Sequence, residues 1–134
     1  MVDAERNLTR VVELSPDWLE AWLMWCDVPR FGGDPATSAD RFLGLLHRWP
    51  EVDIAHYNLG VIYLATEPAR AIEHFAAGES LAPKDADYPL GAARALLALG
   101  RQGEAREAFE RGVALDPKHR LIAQLRKQLG CCQP

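Results

Sequence analysis

Four prolines recur at near-equal intervals, Pro16, Pro50, Pro83 and Pro117, separated by 34, 33 and 34 residues. Each closes the same phrase. A small residue comes first (Ala4, Ser38, Ala71, Ala105), and four residues later a large apolar one (Leu8, Phe42, Phe75, Phe109). A period of this length marks a chain made by stacking one supersecondary unit. Such stacks present extended surfaces for partners and rarely enclose a catalytic pocket.

Between the prolines the pattern is helical. Ile54 to Ala65 and Tyr88 to Leu99 are apolar segments of helix length, rich in Ala and Leu. A second helix follows each, over Pro68–Leu81 and Gln102–Leu115. In the latter, Ala105, Ala108, Phe109, Gly112 and Val113 recur at three- and four-residue spacing, as a buried stripe does. No segment alternates at period two with β-branched residues, so no strand is expected. Pro68 suits a first helical turn, and Gly100 supplies a left-handed helix end. Pro89 falls within a first turn whose N–H groups have no intrahelical partner.

Upstream the units are less regular. A helix from about Pro16 to Val28 carries Trp18, Trp22 and Trp25, and Pro29 is expected to cut it short. Phe31-Gly32-Gly33-Asp34 forms a turn, and Pro35 opens the next helix. Asp3–Leu14 reads as a second-type helix with no first helix ahead of it. His119–Leu129 reads as a lone terminal helix whose Arg120, Arg126 and Lys127 look outward as a solvating cap. The units are thus a half repeat at 1–18, repeats at 19–52, 53–85 and 86–119, a capping helix at 120–130 and a tail at 131–134, all one domain.

Composition narrows the classes. Apolar residues make up 49% and charged residues 25%, as in an ordinary globular chain. No run approaches a membrane span, and the first residues lack a basic and then apolar export signal. A net charge of −4 disfavours a nucleic-acid backbone as ligand. Three cysteines, Cys26, Cys131 and Cys132, form no disulfide framework, which fits a reduced, cytoplasmic setting. Asn7-Leu8-Thr9 is a chance glycosylation match on that reading.

These phrases resemble the tetratricopeptide repeat (TPR) family. Asn58-Leu59-Gly60, Tyr63, Ala71, Phe75, Gly78 and Pro83 carry the resemblance, then Ala93, Gly100, Ala105, Phe109, Gly112 and Pro117. Departures are Pro29 and Leu96 where Tyr is favoured, Ser38 in place of Ala, Pro89 in place of a large residue, and one residue missing near Glu67. The resemblance implies an all-α fold of about eight helices in antiparallel pairs, a short right-handed α-solenoid. Gly60, Ala93 and Cys26 would sit where the helices of one unit come closest, and Phe75 and Phe109 between neighbouring units.

The family's concave groove, carried over position by position, implies a peptide-binding set of Leu23, Asp27, Tyr57, Asn58, Val61, Leu64, Asp87, Leu90, Arg94 and Leu97. Of the sites with which some members grip acidic chaperone C-termini, Asn58 alone agrees, and Asp27 and Asp87 would repel such a tail.

No metal-binding His or Cys pair, phosphate loop or nucleophile elbow occurs, so no catalytic residue, metal or cofactor is expected. His56 should be at least half-buried and His74 at the surface. Cys26 should be an inert core thiol, and the tryptophans packing residues. Cys131 and Cys132 are read as a tail without a role. The resulting reading is a non-catalytic scaffold for a protein or peptide of unknown identity, with no nucleic acid or membrane partner. Two alternatives stand beside it. One is self-assembly, as a homodimer through the edge formed by Ala4, Leu8 and Val11. The other is an accessory segment of a larger enzyme.

Overall fold

The computed structural model describes residues 2–130. They form eight α-helices and no strand: α1 (Val2–Leu14), α2 (Leu19–Phe31), α3 (Pro35–Arg48), α4 (Asp53–Leu64), α5 (Pro68–Leu81), α6 (Asp87–Ala98), α7 (Gln102–Leu115) and α8 (Ile122–Leu129). The all-α reading holds, and the second helices begin and end where the sequence places them. Two compact units divide the chain between Ala55 and His56. Cys131 and Cys132 lie outside the described residues.

In the first unit α1 packs on α2 and α2 on α3. Val12, Ala21, Cys26, Ala39, Phe42 and Leu45 are buried. Asp34 starts α3 by accepting the N–H of Thr37 at 3.2 Å, with Pro35 in the first turn. Gly33 takes the left-handed backbone (φ 89°) that the turn before it needs.

Pro29 does not end α2. The helix runs through it to Phe31, with Pro29 itself buried. A proline there removes one N–H, so the carbonyl of Trp25 loses its donor four residues on. Arg41 fills that place, donating from its guanidinium to the Trp25 carbonyl at 2.8 Å. The next N–H, that of Arg30, donates to the hydroxyl of fully buried Ser38 at 2.8 Å. Ser38, which departs from the small apolar residue of the other units, is therefore a partner for the backbone beside the proline. Arg41 also stacks 4.0 Å over the Trp25 ring and forms a two-pronged ion pair with Glu5. Trp25 donates from Nε1 to Thr9 at 3.0 Å, which further ties α1 to α2.

In the second unit α5 packs on α6, α6 on α7, and α8 touches both α6 and α7. Leu59, Phe75, Tyr88, Leu90, Phe109 and Leu125 are its large fully buried side chains. A Cβ added to Gly60 of α4 or to Gly91 of α6 would stand 2.6 Å from the Phe75 ring, so both helices close on that one ring only because each has glycine there. Pro89 is the third residue of α6 and costs no intrahelical bond. Gly100, at φ 75°, ends α6 in the left-handed region as expected. The terminal helix starts later than its sequence pattern suggests, at Ile122, because His119 is turned inward to bond Asp87 and the N–H of Leu121.

Two outcomes follow. Ser38→Ala restores the residue the repeat favours, yet it should destabilise by ~1–3 kcal/mol by stripping the Arg30 N–H of this acceptor. Urea unfolding of the two proteins measures it, and a more stable variant would refute the account. Ala105 is fully buried, so Ala105→Leu should cost ~1–3 kcal/mol through overpacking while Ala105→Ser is tolerated. Thermal melts of both variants check this.

Candidate functional site

The ten groove positions have different fates. Leu90 is a correction. It is fully buried, and a Cβ on Gly112 would come within 2.4 Å of its side chain. It holds α6 to α7 and cannot line an open face. Asp87 is half-buried and engaged, its carboxylate 2.5 Å from Nε2 of His119. Tyr57 is half-buried with its ring edge-on to Phe75 and Tyr88, each at 6.0 Å between centroids. Asn58 and Val61 are half-buried on the same helix. In the first unit Leu23 is half-buried, and Asp27 lies 2.6 Å from the guanidinium of Arg30, one turn away.

Three of the predicted residues meet. Leu64, Arg94 and Leu97 line one open cleft of about 460 Å³ together with Ala98, Gln102, Gln124 and Gln128. The apolar side comes from α4 and α6. The amide-bearing side comes from the first residue of α7 and from α8. Arg94 is half-buried and is the one charged residue among those lining the cleft. No carboxylate among the described residues pairs with it. The glutamines escape a reading confined to first helices. The available signal is their spacing: Gln124 and Gln128 stand four apart and so share one face of α8.

A second cleft, of about 670 Å³, is lined at the turns by Lys84, Asp85, Asp87, Asp116 and His119. Its aspartates and histidine are already engaged, Asp87 with His119 and the other two with turn backbone. Asp85 accepts the N–H of Asp87 at 2.9 Å, and Asp116 accepts the N–H of Lys118 at 3.2 Å. No group of three or more metal-ligating side chains occurs among the described residues.

The terminal cap is only partly as expected. Arg120 and Lys127 are exposed, but Arg126 folds back over the Phe109 ring at 5.7 Å. At the other end, Ala4 is exposed, while Leu8 and Val11 are half-buried and Val12 is the residue buried in α1. Asp3, Arg6, Arg10 and Glu13 are exposed on the same helix, so its outer surface is not an uninterrupted apolar stripe.

His56 is half-buried, as expected, but His74 is not a surface residue. It stacks on Tyr63 at 5.6 Å and its Nδ1 lies 3.1 Å from Nδ1 of His56. Arg70 also lies over the Tyr63 ring, at 4.3 Å. Burial first, then the charges of His56 and Arg70, hold the His74 imidazole below its ordinary range, while Glu73 works the other way. Trp22 and Trp25 pack edge-on at 5.4 Å, and Trp22 meets Trp49 at 5.7 Å, whereas Trp18 is exposed. Cys26 is fully buried and burial pushes its thiol up to about 12, against a smaller opposing effect of Arg41. A thiol in that state is no nucleophile at neutral pH.

Both titrations are measurable. Because folding depresses the His74 pKa below 6.5, the stability it supplies is complete above that value and is lost as pH falls through it. The melting temperature should begin to drop as pH falls below about 6.5, and drop less in His74→Gln. An equal drop in both proteins would count against the pair. Alkylation at about pH 8 should spare Cys26 until denaturant is added, as peptide mass mapping would show.

Comparison with known proteins agrees with this architecture. Tetratricopeptide-repeat sequence profiles match residues 63–129 and 30–67. Among solved structures, MamA is similar over 94% of this chain and 77% of its own, with 19% identity and a TM-score of 0.80. YrrB, described as a TPR protein with an unusual peptide-binding site, is similar over 92% of this chain and 64% of its own, at 15% identity and a TM-score of 0.80. The TPR domain of Arabidopsis OM64 is similar over 83% and 93%, at 15% identity and a TM-score of 0.76. No curated protein matches in sequence. No helix among the described residues is long and apolar enough to cross a membrane. The repeat period, the glycine-to-ring packing of its helices and the profile matches together make the chain a member of the tetratricopeptide-repeat family.

Proposed function

We propose that the chain is a non-catalytic module that binds an extended peptide or peptide-like segment of a protein. The repeats at 19–52, 53–85 and 86–119 supply its framework. The observation that carries the proposal is the meeting of Leu64, Arg94 and Leu97 in one open cleft. An apolar wall beside a few polar groups is what a peptide needs, since apolar contact gives affinity and polar groups fix orientation. Val61 and Asn58 extend the surface along α4, with Tyr57 partly committed to its neighbours Phe75 and Tyr88. Leu23 and Asp27 occupy the corresponding positions on α2 and are proposed as contacts of the first unit by itself. The peptide-binding site described for YrrB accords with this use of the fold.

The test is a synthetic array of random twelve-residue peptides, probed with the purified protein and with a Val61→Glu, Leu97→Glu double variant. Both residues are half-buried, so circular dichroism should show the variant folded. Wild type is expected to select a coherent peptide class that the variant loses. Binding that survives in the folded variant would place the ligand elsewhere.

A further inference from the structure

We infer that the cleft at Arg94 recognises an acidic side chain, aspartate or glutamate, within an extended peptide. This rests on the peptide-binding reading above and names the chemistry of the ligand.

The case begins with how the chain uses its arginines. Four are half-buried among the described residues: Arg30, Arg41, Arg94 and Arg126. Arg30 holds Asp27, and Arg41 holds Glu5. Arg126 lies over an aromatic ring. Among the described residues Arg94 has no partner of either kind. A partly desolvated guanidinium is costly to leave without one, and its planar fork matches a carboxylate with two parallel bonds. The fold has placed such a group in a cleft with no acidic residue in its lining.

The neighbours define the rest of the ligand. Gln102, Gln124 and Gln128 each offer a donor and an acceptor, which suits peptide groups better than further carboxylates. Arg94 stands on α6. The Phe75 ring joins α6 to α4, which supplies Leu64, and α8, which supplies two glutamines, touches α6 as well. The lining thus continues to both sides of Arg94, as a chain passing through requires. An anionic side chain in mid-peptide, with an apolar neighbour against Leu64 and Leu97, fits that lining. A lone cation, without a second positive group, is a poor site for a multiply charged phosphate.

The experiment uses the array above with every peptide acetylated and amidated, so that no terminal carboxylate is present. Wild type should select peptides bearing one Asp or Glu beside an apolar residue. For one such peptide, Arg94→Gln should weaken binding by about ten- to a hundredfold, and changing the peptide's acid to its amide should do the same. The two losses should not add, because they remove one interaction. Arg94→Glu should turn the selection toward basic peptides. Selection without acidic preference, or equal binding by folded Arg94→Gln, would overturn this inference while the peptide-binding reading stands. A preference seen only in a parallel array with free C-termini would overturn the side-chain assignment. No selection by wild type in either array would remove both readings.

Discussion

The Phe75 ring is the constraint on which the second unit depends. It lies against Gly60 of α4 and Gly91 of α6, and at either position a methyl group would overlap it. A helical glycine costs ~1 kcal/mol relative to alanine. Burying a phenylalanine recovers ~1.5–3 kcal/mol, more than one such glycine costs and comparable with two. The arrangement is therefore selected for closeness and not for helix propensity. The same device recurs with Tyr88 against Gly78 and Leu90 against Gly112. Each of these side chains lodges over bare backbone on a neighbouring helix, which fixes the rotation of α4 to α7 about their own axes.

That rotation decides which residues are left for chemistry. On α6 the packed side takes Tyr88, Leu90, Gly91, Ala92, Ala93, Ala95 and Leu96, all buried. Asp87, Arg94 and Leu97 remain only half-covered. Asp87 is then drawn into the turn by His119. Arg94 and Leu97 are what the packing leaves over, and they meet Leu64 and the glutamines of α8. The cleft is thus a by-product of a core built from rings and glycines, and its position could move only if that core were rebuilt.

Much of this was legible in the chain. The prolines gave the period, and the Ala-to-Phe spacing gave the buried stripe of each second helix. Leu90 shows where position-by-position transfer stops. A pattern says that a residue is on a helix, but its burial depends on what the next helix presents, and here that is a glycine twenty-two residues away. Pro29 misled for a related reason. Local rules end a helix there, while Arg41 and Ser38, distant in sequence, supply the missing partners. His74 looked exposed because nothing local shows that Tyr63 and His56 converge on it. The glutamines of α8 were hidden by reading that helix as a cap alone.

Repeat arrays invite the view that each unit is a cassette to be shuffled, duplicated or replaced. The surroundings of Pro29 make α2 and α3 an exception. Serine and arginine of α3 each bond backbone around the proline, and Arg41 extends the link to Glu5 on α1. A transplanted α3 from another repeat would bring alanine and no arginine, and would leave the Trp25 carbonyl and the Arg30 N–H without these partners. Any lineage that lost the proline would release the serine and arginine to drift, whereas one that lost either partner first would pass through a weaker protein. These contacts therefore couple the first three helices as one block, and replacing α3 alone should weaken it.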